Sequence, residues 1–299
     1  REGKLMTLEE AIAKIKPLDH NAMEIAQKRW DSIAKPLHSL GKLETLLIQI
    51  AGITGNAEVD LSRRGLIAMC ADNGVVEEGV TQTGQEVTAI VAENFLKYDT
   101  SVGVMCKQNH AEIFPVDMGM VTDTKVRTDH KIAYGTQNMT KGPAMTREQA
   151  VKGLEAGIDM VRELNDKGYR ILATGEMGIG NTTTSSAVAS VLLKQPVEEM
   201  TGRGAGLTSE GLVRKINAIK KAIALNKPDP EDAIDVLAKV GGLDIAGMAG
   251  VFLGGAVYGI PVVMDGFISC VSALIAMRIC PAARDYILAS HVSNEPAAI

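Results

Sequence analysis

The sequence predicts an α/β fold: a doubly wound, mainly parallel sheet with helices on both faces, plus a small helical lobe from the N-terminal segment and the C-terminal end. Three observations predict it. Four short apolar runs end in small or acidic residues: 66–71 before Asp72, 113–116 before Asp117, 171–174 before Gly175 and 260–264 before Asp265. These runs lack the polar alternation of half-solvated strands, which suits strands buried on both faces. Long amphipathic segments separate them, and strand–helix alternation is the pattern of a parallel sheet. The stretch before residue 60, by contrast, shows helical spacing throughout.

Taken in order, Thr7 and Glu10 form a T-x-x-E capping box leading into Ala11, Ile12 and Ile15. Helical spacing continues at Met23, Ala26 and Trp30 and again at Leu43, Leu46, Leu47 and Ile50. The expected division is a mainly helical lobe over 1–60 and a large α/β nucleotide-binding domain over 61–299, with the last residues returning to the small lobe. After the first strand comes a polar loop, and Thr83 with Glu86 offers a second capping box to a helix over 87–97. Further helices are expected at 147–165 behind Thr146, at 183–193 and at 210–225. Residues 245–264 carry no charge and include Gly250 and Gly254 in a GxxxG pattern, which imitates a membrane span. Five glycines, Pro261 and the lack of basic flanks argue for a buried helix over 244–258 and a short strand instead.

Bulk properties narrow the function. A net charge of −5, with no basic block or basic–aromatic stripe, speaks against nucleic acid as the main partner. Cys70, Cys106, Cys270 and Cys280 form no CxxC or Cys/His cluster, and residues 1–6 lack an apolar leader, so reduced thiols in the cytoplasm are expected, with no membrane attachment. Five scattered histidines offer no metal set, no Ser/His/Asp or Cys/His order suggests a covalent nucleophile, and no cofactor is expected.

The residues suited to chemistry cluster at strand ends, where α/β sheets collect ligands. In Gly175-Glu176-Met177-Gly178-Ile179-Gly180-Asn181-Thr182 a strand runs through glycines into a helix that Asn181 or Thr182 would cap. Free amides and the helix dipole there favour a phosphate. An ordinary Gly-rich capped turn has the same pattern, and the spacing matches neither the P-loop nor the dinucleotide fingerprint. Gly202-Arg203-Gly204-Ala205-Gly206 is a second glycine loop, with Lys215 in the helix that follows. It suits the same anion or a tight surface turn, just as Lys215 suits a ligand or solvent. Ser290-His291-Val292-Ser293 follows an apolar helix and offers hydroxyl donors. The loop from Asp72-Asn73-Gly74 to Glu86, with Thr81 and Gln85, carries hydrogen-bonding groups suited to an aromatic heterocycle.

Together these pieces resemble the nicotinate-nucleotide:dimethylbenzimidazole phosphoribosyltransferase family. The resemblance rests on the stretches 71–80, 85–88, 142–146, 175–183, 202–204, 263–268 and 290–293, in family order along nearly the whole chain. It implies transfer of ribose 5-phosphate from nicotinate mononucleotide to a cobamide lower-ligand base, dimethylbenzimidazole or a related aromatic base. The products would be the α-ribosyl base 5′-phosphate and nicotinate, with inversion at C1′. Carried over, Gly178, Gly180, Gly204 and Ser293 would cradle the phosphate, with Asn181, Gly202 and Ser290 beside them. Glu176, Lys215 and Asp265 would orient nicotinate and ribose, and Thr81, Gln85 and Met177 would face the incoming base. Gly178→Ala or Gly180→Ala is then expected to weaken nucleotide binding far more than folding. Family members continue past Ser-His-Val-Ser to a Gly-Glu-Gly run whose glutamate is the proposed base, and no such run occurs in this sequence. That departure motivates a second reading: a non-catalytic or half-site subunit of a heterodimeric phosphoribosyltransferase using a benzimidazole or phenolic base. The resemblance implies a dimer either way, a homodimer or a pairing with a paralogous chain.

Overall fold

A computed structural model describes residues 4–299. The first part of the polar start at residues 1–6, and of the lobe at 1–60, lies outside the described residues. Strands β1 (Arg64–Ala71), β2 (Ala111–Gly119), β3 (Ile171–Met177), β4 (Val262–Val263) and β5 (Ile287–Leu288) form one parallel sheet in the order β2-β1-β3-β4-β5. The α/β expectation holds. The chain winds outward from β1 to β2, then returns to the other side of β1, so the topological switch point lies between β1 and β3.

The helices are α1 (Leu8–Lys14), α2 (His20–Ser32), α3 (Lys42–Thr54), α4 (Glu86–Lys97), α5 (Ser101–Gln108), α6 (Arg147–Asp166), α7 (Asn181–Leu193), α8 (Val197–Met200), α9 (Ser209–Asn226), α10 (Ala233–Val240), α11 (Leu243–Tyr258) and α12 (Phe267–Ile279). Helices α4 and α5 cover one face of β1 and β2, while α11 lies across the other face of β1, β2 and β3. Helix α2 packs on α3, and α1 lies against α11 and α6. The Gln49 side chain donates to the Asp285 and Ile287 carbonyls, which ties α3 to the β5 end of the sheet. The last turn, 296–298, packs on α7, α8 and α12 of the large body.

Local chemistry explains most boundaries. Thr7 with Glu10, and Thr146 with Gln149, complete reciprocal capping boxes that start α1 and α6. The uncharged stretch forms α11, whose residues from Leu243 to Ala256 are all buried, followed by the short β4. A helix apolar all round is one sunk in a core, and none of the described helices is long and apolar enough to cross a membrane. Its GxxxG pattern serves packing against α6. A Cβ on Gly157 would strike the Gly247 carbonyl and lie 2.7 Å from the Gly250 Cα, so the two helices cross backbone to backbone.

Two local expectations fail. Thr83 does not cap α4; that helix begins after Gln85 without a side-chain cap, because the Thr81 hydroxyl folds the loop by donating to the Thr83 carbonyl at 2.7 Å. Ser290 follows β5 rather than a helix, since α12 ends at Ile279 and Pro281 opens a 3-10 turn that feeds a two-residue strand.

Candidate active site

The carboxyl ends of β1 and β3 open into a cleft of about 170 Å³ lined by Thr81, Gln82, Met177, Gly178, Gly180, Asn181 and Arg203. A second cleft of about 340 Å³ lies beside it, between the ends of β3 and β4 and helices α4 and α5. It is mostly apolar, with Leu66, Ala68, Phe95, Val102 and Met105, and its polar wall is Glu176, Asp265 and Ser290. Glu176 belongs to both. Small-molecule pockets usually measure ~300–1,000 Å³, so the glycine cleft alone is too small for a nucleotide, whereas the two together are adequate.

The glycine run does its work by space and conformation. Gly180 holds φ +93° as it turns β3 into α7, a conformation that side chains disfavour. Gly178 sits where a Cβ would lie 2.5 Å from the Ala71 carbonyl and against the Asp244 carboxylate. This tells against the expectation that an alanine at either position would weaken nucleotide binding far more than folding: both glycines are built into the switch point, so substitution disturbs the backbone as well as any ligand. Asn181 does not cap α7, whose cap is Gly180 without a side-chain bond. Its carboxamide nitrogen instead donates to Glu176 Oε2 and, at 3.0 Å, to Asp244 Oδ2.

Those two carboxylates dominate the electrostatics. Burial raises Glu176, reinforced by the charge of Asp265 and opposed by the Asn181 hydrogen bond. Burial likewise pushes Asp244 up to about 7, with the Glu176 charge adding to it. Among the described residues neither has an ion-pair partner within 4.0 Å.

Other sequence-derived residues stand behind the clefts. Lys215 is fully buried; its ammonium donates to Thr182 Oγ1 and to the Gly202 carbonyl, both at 2.9 Å. Desolvation brings its pKa down to about 8. The Gly204 amide donates to Glu295 Oε1 at 3.1 Å, so a carboxylate of the chain itself occupies this part of the second glycine loop. Ser293 Oγ accepts from the Glu295 amide at 3.2 Å. Gln85 donates to the Asn73 carbonyl at 3.2 Å, bracing the loop against the end of β1. Asp72 and Asn73, read as part of a heterocycle-binding loop, are buried: Asp72 Oδ2 accepts from the Val121 amide at 2.7 Å, and Asn73 donates to the Ile179 carbonyl at 3.4 Å. Glu77 and Glu78 accept from Asn138 away from the cleft.

A phosphoribosyltransferase family model, DBI_PRT, matches residues 15–299. The chain belongs to this phosphoribosyltransferase family. It is 54% identical over 293 residues to the nicotinate-nucleotide–dimethylbenzimidazole phosphoribosyltransferase of Ruminiclostridium cellulolyticum, covering 97% of this chain and 83% of the relative. Identity to the Clostridium acetobutylicum enzyme of the same name is 52%, with the same coverage. The crystal structure of CobT from Thermus thermophilus is similar with a TM-score of 0.87 at 36% identity, over 93% of this chain and 84% of that one.

Within this phosphoribosyltransferase the residues that sequence reasoning missed are Asp244 and Glu295. Asp244 left a signal: it is the single carboxylate heading the uncharged stretch 245–264, a place where a buried charge must have a partner. Glu295 left none, because its partner Gly204 lies 91 residues away.

Proposed function

We propose that this protein transfers ribose 5-phosphate from nicotinate mononucleotide to dimethylbenzimidazole or a related aromatic base, releasing nicotinate and the α-ribosyl base 5′-phosphate. The observation that carries the reading is the placement of Glu176 as the wall shared by two clefts. Inversion at C1′ needs the leaving ring and the incoming base on opposite faces of one ribose, and a carboxylate between two clefts stands where C1′ would be. The C1′–N bond breaks with its electron pair passing to the nicotinate nitrogen, which becomes a neutral pyridine and needs no general acid. The base nitrogen then forms its bond to C1′, and its ring proton passes to a carboxylate; among the described residues, Glu176 and Asp265 are the carboxylates lining the clefts. Positive charge developing at C1′ is stabilised by ionised Glu176, and holding both reactants in line supplies ~7–11 kcal/mol in well-oriented cases.

In this reading Gly178, Gly180 and Arg203 receive the phosphate, Thr81 and Met177 face the base, and Asp265 with Ser290 faces nicotinate. Lys215, Gly202, Gly204, Gln85 and Ser293 act from behind, fixing the loops. The relatives carry the name of the catalytic enzyme, which favours the transferase over the half-site subunit. The division at residue 60, a cytoplasmic location and a paired subunit belong to the same proposal. Exposed Ile90 on α4 and Val104 on α5 offer apolar side chains to such a partner.

The test is a product assay on the purified protein with nicotinate mononucleotide and dimethylbenzimidazole, read by mass spectrometry. Nicotinate and the ribosylated base should appear in equal amounts, and Glu176→Gln should lower kcat by about a hundredfold or more. Full activity in Glu176→Gln would remove the basis of the assignment.

A further inference from the structure

Glu176 faces both clefts, but what holds it lies beneath them in the core. Asp244 stands in the first turn of α11, fully buried, and lines neither cleft. Its Oδ1 accepts from the Ile245 amide at 3.0 Å and its Oδ2 from Asn181 at 3.0 Å. The Asn181 nitrogen has two hydrogens, one for Asp244 and one for Glu176. One carboxamide therefore bridges the buried Asp244 and the half-buried, cleft-facing Glu176, each at the start of a helix or beside one, where the dipole favours a single negative charge.

The groups facing the pair come from every neighbouring element. Cys70 comes from β1 and Asp265 from the end of β4, while Arg203 lines the far side of the glycine cleft. Asp117 on β2 is already paired with Lys131 at 3.1 Å. None of them supplies a cation in contact with either carboxylate, and two unpaired charges buried this close are not held together. Burial and the neighbouring charge of Glu176 therefore favour the proton on Asp244.

We propose that Asp244 is a positioning residue of the transfer reaction: through the Asn181 carboxamide it fixes the side chain and the charge state of Glu176 at the wall between the clefts. The proposal rests on the transfer reading of Glu176. Asp244 never touches substrate; it keeps Asn181 turned inward against Glu176 and itself takes up the proton that their closeness demands.

The experiment is a kcat and KM profile against pH for four proteins: the wild type, Glu176→Gln, Asp244→Ala and Asp244→Asn. Asp244→Ala should lose about tenfold in kcat, with KM for nicotinate mononucleotide within about threefold. Asp244→Asn keeps the shape and one acceptor oxygen for Asn181 but turns its NH2 toward the Ile245 amide, so it should recover part of kcat. It is also permanently neutral, so the kcat limb that the wild type shows as Asp244 ionises, at about pH 7, should be absent from it. A purely structural role would lower the folded fraction without removing that limb. If Glu176→Gln is inactive while the Asp244→Asn limb stays on the wild-type curve, this proposal is overturned and the transfer reading stands. If Glu176→Gln is fully active, the transfer reading itself falls. Carbon-13 carboxyl NMR of the wild type reads the pair without any variant: Asp244 should titrate at about pH 7, and its titration in the ordinary carboxylate range contradicts the proposal.

Discussion

Lys215 shows how a residue contributes to a site without reaching it. Its ammonium ties the first turn of α7, through Thr182, to the Gly202 carbonyl of the second glycine loop. Burial brings its pKa from 10.5 down to about 8, so the folded protein releases this proton before the unfolded chain does. Its contribution to stability is therefore fully present above pH 10.5 and is lost as the pH falls through about 8. Urea unfolding of the wild type should show a rise on the order of 3 kcal/mol across that window. Lys215→Met should lack the rise, and an unchanged profile in that variant would assign it to another group. The sequence displays a lysine one turn into a helix but nothing about its depth, because depth is set by Gly202 and Thr182 folding over it. The same holds for Asn181, whose pattern reads as a cap: only the approach of Asp244 from α11 turns its carboxamide inward.

At the scale of elements, periodicity and composition are informative wherever a segment is long. Helix α6 begins at its capping box, and the uncharged stretch resolves into α11 and β4. Short elements with neither a capping box nor an apolar run to mark them are not legible. Strand β5 has two residues, too few for any periodic signal, and it exists because β4 offers it an edge. Helices α5, α8 and α10 escape the sequence reading for the same reason, being only four to eight residues long. The crossing of α6 and α11 carries a test at this scale. A Cβ on Gly250 would collide with the Leu154 carbonyl and lie 2.9 Å from the Gly157 Cα, so the helices must separate to admit it. Gly250→Ala should cost about 1–3 kcal/mol in urea unfolding. Because α11 carries Asp244 at its start, activity at neutral pH should fall with it; a variant as stable as the wild type would show that the crossing is not close-packed.

For the whole molecule, strand order decides where chemistry is placed. The reversal between β1 and β3 separates the connecting segments and leaves a crevice at the carboxyl ends. Four of the five strand ends are visible as apolar runs stopping at small or acidic residues, which is why most cleft-lining residues are legible in the sequence alone. Their grouping into two clefts about one carboxylate is not, since Asp265 and Glu176 meet only after β4 pairs with β3. The most direct measurement of the central claim is a crystal structure with nicotinate mononucleotide and the slow Glu176→Gln variant. The phosphate should lie against Gly178, Gly180 and Arg203, with C1′ beside residue 176 and the nicotinate ring in the cleft of Asp265 and Ser290. A nucleotide bound elsewhere on the protein, with both clefts at the switch point left open, would contradict the account.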